Sequence, residues 1–457
     1  MTRWVKPSVL AALLLAVALS GCTSDDTGSD EDDDPSEDPL DPLDQWNAYL
    51  ADRAAGGSML VPRIHDAGIE GERVVVAVID SGVHAHHERF ARPETFAPGT
   101  LDVAATDSAT GLPPLYVPLP LLPGDDPDIV PEIVQPKTLY RFAGTNLLYY
   151  SVLDEVTALD PDGHGTATAG VVAENAPDAT IVLVQTDTGF LEPAIEWAVA
   201  QPWIDIISVS WGCQANCAWY APLAKSADPL DVEREIKATR AAWATGKLIV
   251  FSAGNDPTPH VTDYHDGPPW VVSVGGADPY RKGEAWMASK APDVLANYTA
   301  IAPRSGTDDG YVAVPGTSFS APVVAGALAD AVLRLRSGTG HIGGIQDGAL
   351  VAAGETTWRN SDVRDALNRT ARYWTTTDHD PTADHPAQAP EDPLFALDAG
   401  VPINPAAPWL QMGWGYIDGT TGRAMAEGLM GGTLPDKPAE AHTYRDQVQS
   451  ARETLWS

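Results

Sequence analysis

The chain has 457 residues, of which 44% are hydrophobic, enough for one large domain or two ordinary ones with a sizeable core. Its formal net charge is −35, from 28 basic and 63 acidic residues. Proteins bind phosphate backbones through basic faces, so this charge argues against a nucleic-acid partner.

Residues 1–21 have the pattern of an export signal. Arg3 and Lys6 precede an apolar run at 9–19 that is too short to span a bilayer comfortably. The Leu-Ser-Gly-Cys ending at 19–22 resembles a lipobox, the bacterial-type lipoprotein signal, and implies cleavage before Cys22 and a lipid on its sulfur. A plain secretory signal or a retained anchor is the alternative. In each case we expect an exported protein at the cell envelope or the extracellular side, and the lipid would anchor it to a membrane.

Residues 22–44 are expected to form a tether. The stretch 23–44 carries eleven acidic residues and no basic one, so self-repulsion and the lack of apolar side chains favour an extended, solvated chain. We expect a folded domain over 45–430 and a helical tail over 431–457 that packs on it, with partner binding by the tail as the alternative.

The first strong fold signal is the apolar, β-branched run at 74–79, which ends at Asp80. Such a run is typical of a strand buried on both faces of a parallel sheet. Asp80 would then lie at the carboxyl end of the strand, where open α/β sheets bind their ligands. A carboxylate that only caps the turn is the alternative.

Residues 97–137 are rich in proline and leucine and show little periodicity, which predicts a long surface insertion. Its aspartates at 125, 126 and 128 are interpreted as a solvated acidic loop, with a cation site as the alternative. The histidines at 84, 86 and 87 are likewise interpreted as a solvated loop, with metal binding as the alternative.

Strand and helix patterns alternate along the remainder of the chain. Strands are predicted at 181–185, 206–210, 248–251 and 270–274, and helices at 193–200 and 232–245. This alternation predicts an α/β fold in which a mostly parallel central sheet has helices on both faces.

Two polar residues stand between glycine and a small-residue helix: His164 in Gly-His-Gly-Thr and Ser318 in Gly-Thr-Ser-Phe. Free N–H groups and the dipole at a helix N-terminus favour negative charge. Ser318 is therefore a candidate nucleophile, and an ordinary helix cap is the alternative.

Asp80, His164 and Ser318 together supply a nucleophile, a base and a group that orients the base. The motifs Asp-Ser-Gly-Val at 80–83, His-Gly-Thr-x-x-Ala-Gly at 164–170, Ser-Ala-Gly-Asn at 252–255 and Gly-Thr-Ser-x-x-Ala-Pro at 316–322 follow in order. In this order they resemble the subtilisin-like serine peptidases, or subtilases, over about 45–430. The segments 361–371 and 413–416 resemble that family's C-terminal helices.

The resemblance implies a three-layer subtilisin-like α/β fold and a serine endopeptidase that acts on proteins or peptides through an acyl-enzyme. Asp80 would orient His164, and His164 would take the proton from Ser318. Asn255 would complete the oxyanion hole with the Ser318 backbone N–H. The segments that would bind substrate are a backbone-pairing strand and the opposite wall of the specificity pocket: Ser210, Trp211, Gly212, Ala253 and Gly254.

No cofactor is required for this chemistry. Many subtilases bind structural calcium, which the acidic composition would suit, although the sequence assigns no ligands. A monomer is expected. The tether also leaves no room before the domain for the folding pro-domain that many subtilases carry, and Thr168 stands where the family usually has valine.

Cys213 and Cys217 lie directly after the expected substrate strand. In an exported protein a lone close pair predicts a local disulfide, here one that stiffens a rim of the cleft. Two free thiols or half of a metal site are the alternatives.

Two other functions remain open. One is a catalytically silent lipoprotein of the same fold that binds peptides, against which the presence of Asn255 beside the three candidate residues argues. The other is a sedolisin-type acid peptidase, against which the His164 motif argues. A histidine base predicts loss of activity below about pH 6–7, which would separate this last alternative.

Overall fold

The computed structural model describes residues 74–91, 100–106, 115–120, 134, 136–142, 145–187, 191–211, 229–255, 264–277, 284–286, 292–307, 309–337, 339, 341, 344–353, 356–373, 401–402 and 412–456. The predicted signal, the tether with Cys22, Gly212, Cys213 and Cys217 lie outside the described residues.

The strands in chain order are β1 Val75–Asp80, β2 Thr100–Thr106, β3 Leu115–Pro120, β4 Leu139–Phe142, β5 Leu147–Ser151, β6 Thr180–Gln185, β7 Ile206–Val209, β8 Leu248–Ser252, β9 Val272–Ala277, β10 Glu284–Trp286, β11 Val294–Asn297, β12 Thr299–Pro303, β13 Tyr311–Pro315, β14 Val351–Ala353, β15 Thr356–Trp358 and β16 Val401–Pro402. The α-helices are α1 His164–Asn175, α2 Leu191–Ala200, α3 Pro229–Ala244, α4 Thr317–Arg336, α5 Asn360–Thr370, α6 Thr421–Gly431, α7 Ala439–Tyr444 and α8 Ser450–Trp456.

The centre of the main sheet is parallel, in the order β5-β6-β1-β7-β8-β9-β11. Antiparallel strands extend it at both ends, with β4, β2 and β3 beyond β5 and with β10 and β16 beside β9. Every residue of β1 is buried, as expected for a strand covered on both faces. The prediction of a mostly parallel central sheet is confirmed.

Alternate residues of β1 belong to two separate cores. Val76 and Val78 join a cluster with α1 and α4, whereas Val75, Ala77 and Ile79 join a second cluster with α2 and α3. Because successive side chains of a strand point to opposite faces, helices lie on both sides of the sheet. The fold is therefore the predicted three-layer α/β arrangement.

The predicted surface insertion contains two strands that the sequence pattern does not indicate. β2 and β3 pair with each other, and β2 also pairs with β4 at the edge of the main sheet. β4, the partner that joins β2 to the sheet, lies more than thirty residues further along the chain. A local pattern rich in proline does not reveal such a partner.

Three smaller expectations also differ from the structure. The strand predicted at 270–274 is β9, which begins two residues later. The segment 413–416 is not helical: it forms a turn whose Tyr416 bridges Leu295 and Arg372. The histidine loop is buried and not solvated, because His84, His86 and His87 are 3%, 9% and 0% exposed.

Among the described residues, α4 is long and apolar enough to cross a membrane by length and composition. However, 78% of its most apolar stretch is buried inside the protein. It is the central helix of the larger core, and it brings Ser318 to the carboxyl edge of the parallel strands.

Candidate active site

Asp80 is the last residue of β1 and is fully buried. Its Oδ1 accepts hydrogen bonds from the Ser81 backbone N–H at 2.8 Å and from Nδ1 of His164 at 2.7 Å. Its Oδ2 accepts a hydrogen bond from Oγ1 of Thr168 at 2.9 Å. A carboxylate can be buried when such donors replace its hydration, so this aspartate does more than cap a turn.

His164 is the first residue of α1, and two glycines allow this helix to approach the end of β1. A Cβ on Gly165 would lie 2.1 Å from the Gly82 carbonyl oxygen, and a Cβ on Gly82 would lie 1.7 Å from the Leu159 carbonyl oxygen. Gly82 also has a φ of +148°, which side-chain-bearing residues rarely adopt. The backbones of the Asp-Ser-Gly and His-Gly-Thr motifs are thus in direct contact.

A second buried carboxylate, Asp160, organises the loop between these motifs, and the sequence analysis did not identify it. It accepts hydrogen bonds from Oγ of Ser81 at 2.8 Å, the Gly163 N–H at 3.1 Å and the Thr166 N–H at 2.9 Å, and also from the Thr166 hydroxyl. Burial raises the pKa of Asp160 to about 6, although these hydrogen bonds oppose the rise. Its position four residues before His164 was the signal available in the sequence.

The imidazole of His164 lies in a negative environment. Burial lowers the pKa of His164, but the charge and hydrogen bond of Asp80, together with the charges of Asp162 and Asp160, raise the pKa more strongly, to about 9. The side chain is still 32% exposed, so a substrate can reach it. Protonation at Nδ1 leaves Nε2 as the atom that can exchange a proton with a reactant.

Ser318 is the second residue of α4 and is half-buried, between two buried neighbours. Its Oγ donates to the Ser210 carbonyl at 3.3 Å, and Oγ of Ser210 donates to the Ser318 carbonyl at 2.6 Å. Pro322 has no N–H to donate to the carbonyl four residues before it. The Ser318 carbonyl is therefore free to accept the bond from Ser210.

The imidazole of His164 lies beside the first turn of α4, because its ring centroid is 5.5 Å from that of Phe319. Within the part of the chain that the structure describes, Ser318 Oγ bonds to Ser210 and no hydrogen bond joins it to His164. Catalytic hydrogen bonds are often long or misaligned in unliganded enzymes and tighten when substrate binds.

Asn255 is exposed and follows the end of β8. Its Oδ1 accepts hydrogen bonds from the backbone N–H and the hydroxyl of Thr317, each at 3.0 Å. Because the oxygen is held in this way, the Nδ2 group remains on the other side of the carboxamide as a donor. The threonine before Ser318 thus sets the orientation of the amide.

The expected substrate segments lie beside this group. Ser210 follows β7, which is an internal strand paired with β1 and β8, so a free edge can begin only after that strand ends. Trp211 is half-buried against the second core. Ala253 and Gly254 are buried directly after the adjacent strand β8.

The buried histidines after β1 make other contacts. Nε2 of His87 donates to the Gly310 carbonyl at 2.7 Å, and the His84 backbone N–H donates to the Thr166 hydroxyl at 2.7 Å. Over the described ranges, no group of three or more His, Cys, Asp or Glu side chains is arranged to hold a metal ion.

Comparison with known proteins gives the family. The subtilase family model matches residues 71–389, more than half of the chain. A subtilisin from Bacillus pumilus is 25% identical over 320 residues, which are 68% of this chain and 88% of that protein. The major intracellular serine protease of Bacillus subtilis (strain 168) is 30% identical over 195 residues, which are 37% of this chain and 55% of that protein.

Two solved structures are also similar at 17% identity. They are the prenylagaramide maturation protease PagA, with a TM-score of 0.44, and a lanthipeptide protease, with a TM-score of 0.45. The matches cover 78% and 84% of this chain and 95% of each of the other chains. With the family model matched over most of the chain, and with the family's motifs at the carboxyl edge of the sheet, this protein belongs to the subtilase family of serine peptidases.

Proposed function

We propose that the protein is a serine endopeptidase in which Asp80, His164 and Ser318 hydrolyse peptide bonds through an acyl-enzyme. The observation that carries this proposal is the buried Asp80 carboxylate, bonded at 2.7 Å to a half-exposed His164 beside the first turn of α4. A buried carboxylate, an accessible imidazole and a hydroxyl at a helix N-terminus supply the three groups that acyl transfer needs.

In the acylation step, Oγ of Ser318 exchanges its hydrogen bond to the Ser210 carbonyl for one to Nε2 of His164. His164 takes the hydroxyl proton as Oγ bonds to the substrate carbonyl carbon, and Asp80 stabilises the imidazolium that forms. The imidazolium then gives this proton to the departing amine as the C–N bond breaks. In deacylation His164 takes a proton from water as the water oxygen bonds to the acyl carbon. The imidazolium then gives that proton to Oγ of Ser318 as the C–Oγ bond breaks and the carboxylic acid product leaves.

The oxyanion would accept hydrogen bonds from Nδ2 of Asn255 and from the Ser318 backbone N–H. The two hydrogen bonds that Thr317 donates to Oδ1 of Asn255 support this role, because they fix the orientation of the amide donor before the reaction begins. Preorganised donors of this kind account for about 10²–10³ in turnover.

An extended substrate would pair its backbone with Ser210, Trp211 and Gly212, with Ala253 and Gly254 as the opposite wall. The adjacency of β7 and β8 supports this arrangement, because the two segments leave the sheet side by side. Pairing through main-chain groups favours protein or peptide substrates with few side-chain requirements.

A fluorophosphonate probe tests the nucleophile and its base, because it reacts only with an activated serine. The protein from Thr23 onward is compared with Ser318→Ala and His164→Ala. The matched control is Ser320→Ala, which removes a buried serine two residues along the same helix. We expect labelling of the parent and the control and none of the other two variants.

A folded parent that stays unlabelled would favour the silent peptide-binding protein. Peptide binding that is unchanged by Ser318→Ala would support that alternative further.

Applied to whole cells, the same probe tests the expected lipid anchor on Cys22. The labelled full-length protein should fractionate with membranes, and Cys22→Ser should release it. Equal fractionation of the two would contradict the anchor.

A further inference from the structure

Thr168 occupies a position where it can act on Asp80 directly. It lies four residues after His164 in α1, so both side chains are on the same face of the helix. Thr168 is fully buried, and its Oγ1 lies 2.9 Å from Oδ2 of Asp80 and 3.1 Å from the Gly165 carbonyl oxygen. Valine, the usual residue of the family here, has the same shape but no hydroxyl.

The hydroxyl has one proton and two acceptors in reach. Threonine hydroxyls in helices often donate to the carbonyl three or four residues earlier, so the Gly165 carbonyl is a genuine competitor. The carboxylate oxygen is closer and charged, and hydrogen bonds to ionised acceptors are about twice as strong as neutral ones. We therefore assign the proton to Asp80.

The two oxygens of Asp80 are held differently. Oδ1 accepts from both Ser81 and His164, whereas Oδ2 accepts from Thr168 alone within the described part of the chain. Without the hydroxyl, a buried carboxylate oxygen would lose its hydrogen bond. The carboxylate could then rotate, and the angle at which it meets Nδ1 of His164 would no longer be fixed.

We propose that Thr168 is a positioning residue whose hydroxyl holds the Asp80 carboxylate in the orientation that aligns His164. This inference rests on the proposed function, because the alignment matters only if His164 acts as a base. It assigns a hydroxyl of this chain to a place in the network where the family usually has a hydrocarbon side chain.

The contact also has an electrostatic consequence. The hydroxyl presents the positive end of its dipole to Asp80 and so weakens the field of the carboxylate at the imidazole. Among the described residues, the other charges that act on the imidazole are those of Asp160 and Asp162 in the loop before α1, and Ser318 and Phe319 on α4 are uncharged. Removal of the hydroxyl should therefore raise the pH at which His164 titrates.

The test compares Thr168→Val, which removes the hydroxyl and keeps the shape, with Thr168→Ser, which keeps the hydroxyl. The matched control is Thr370→Val, because within the described residues the Thr370 hydroxyl bonds only to carbonyls of its own helix, α5. For each variant kcat, KM and melting temperature are measured. The His164 titration is followed by ¹⁵N NMR in a Ser318→Ala background, so that it does not depend on activity.

We expect Thr168→Val to lower kcat about tenfold with KM within about twofold, and to raise the titration midpoint of His164. Thr168→Ser should stay close to the parent in both measurements. Thr370→Val should change melting temperature only. If the valine variant does not fold, Thr168→Ala compared with Thr168→Ser carries the same test.

Parent values of kcat and midpoint in Thr168→Val would overturn the inference, and so would a serine variant as impaired as the valine variant. A folded parent without probe labelling overturns the proposed function, and with it the catalytic role of Thr168. A labelled parent with an unaffected valine variant overturns the role of Thr168 alone.

Discussion

Two carboxylates contact His164: the buried Asp80 accepts a hydrogen bond from its imidazole, and Oδ1 of the exposed Asp162 accepts its backbone N–H at 2.8 Å. Burial lowers the pKa of the imidazole, but the two negative charges raise this pKa by more than burial lowers it. The result is a pKa of about 9. A histidine without such neighbours titrates near pH 6.5. The structure therefore moves the expected loss of activity on acidification to a higher pH than the sequence alone predicts.

This environment sets the expected pH dependence of kcat/KM. Because a base must be unprotonated, activity should fall as the pH drops through about 9, and Asp162→Asn should lower that midpoint by removing a negative charge. The asparagine keeps an oxygen that can accept the His164 N–H, so the helix start is preserved. The exposed pair of Asp154 with Lys137 provides the control, since Asp154→Asn should leave the midpoint unchanged. An unchanged midpoint in Asp162→Asn would contradict the electrostatic explanation.

The same shift links stability to pH. The folded-state pKa of His164 is raised above the value of an unfolded histidine, so its protonation stabilises the folded protein. This stabilisation is fully present below about pH 6.5 and is lost as the pH rises through about 9. Maximal activity and maximal stability should thus occur at different pH values.

The backbone contact between the turn after β1 and the start of α1 determines where two of the three proposed catalytic residues meet. Gly165 has no room for a side chain, because a Cβ would lie 2.1 Å from the Gly82 carbonyl oxygen. Because this oxygen belongs to the backbone, it cannot move away by a side-chain rotation. The two elements would have to separate, and Asp80 and His164 would move apart with them.

Gly165→Ala tests this contact. We expect it to lower the free energy of unfolding by about 1–3 kcal/mol, measured in urea, and to reduce kcat/KM more than tenfold, roughly the cost of a misaligned catalytic group. Gly419→Ala is the matched control, because nothing lies within 4 Å of a Cβ there. An alanine variant with parent stability and activity would show that the two backbones can separate without cost.

At the scale of the whole molecule, the C-terminal helices are part of the folded body. Arg452 on α8 is 1% exposed, and its Nη1 donates to Oδ2 of Asp293 at 3.1 Å. The same oxygen accepts from Arg364 on α5 and from the Ser273 backbone N–H in β9. One buried carboxylate thus joins the tail to a helix and to the central sheet.

Arg452→Ala should therefore destabilise the protein by about 1.5–3 kcal/mol, the contribution of a hydrogen bond to a charged group, because Arg364 still pairs with Asp293 when Arg452 is removed. The control is Arg423→Ala, whose exposed pair with Glu427 should contribute less than about 1 kcal/mol. Urea unfolding of both variants gives the comparison. Equal destabilisation of the two would mean that the tail adds no more than a surface contact.

The central strands and the order of the motifs can be predicted from the amino-acid sequence. The apolar runs that became β1 and β8 are buried on both faces, a pattern that is local and strong. The positions of Asp80 and Asn255 at the edge of the sheet can be predicted from these runs, because each residue comes at or just after the end of one of them. Ser318 at a helix start was equally readable, since glycine and a small-residue helix leave few other conformations.

The contacts between side chains that are distant in the chain cannot be predicted in this way and are seen only in the folded protein. Thr168 and Asp160 read as an ordinary helix residue and a loop residue until the fold brings them to Asp80 and Ser81. The same holds for β2, whose partner β4 lies more than thirty residues further along the chain, and for Arg452, whose partner is Asp293. Local patterns report burial and backbone preference, which act within a few residues. Hydrogen bonds and ion pairs between separate elements depend on the folded arrangement and leave no such pattern.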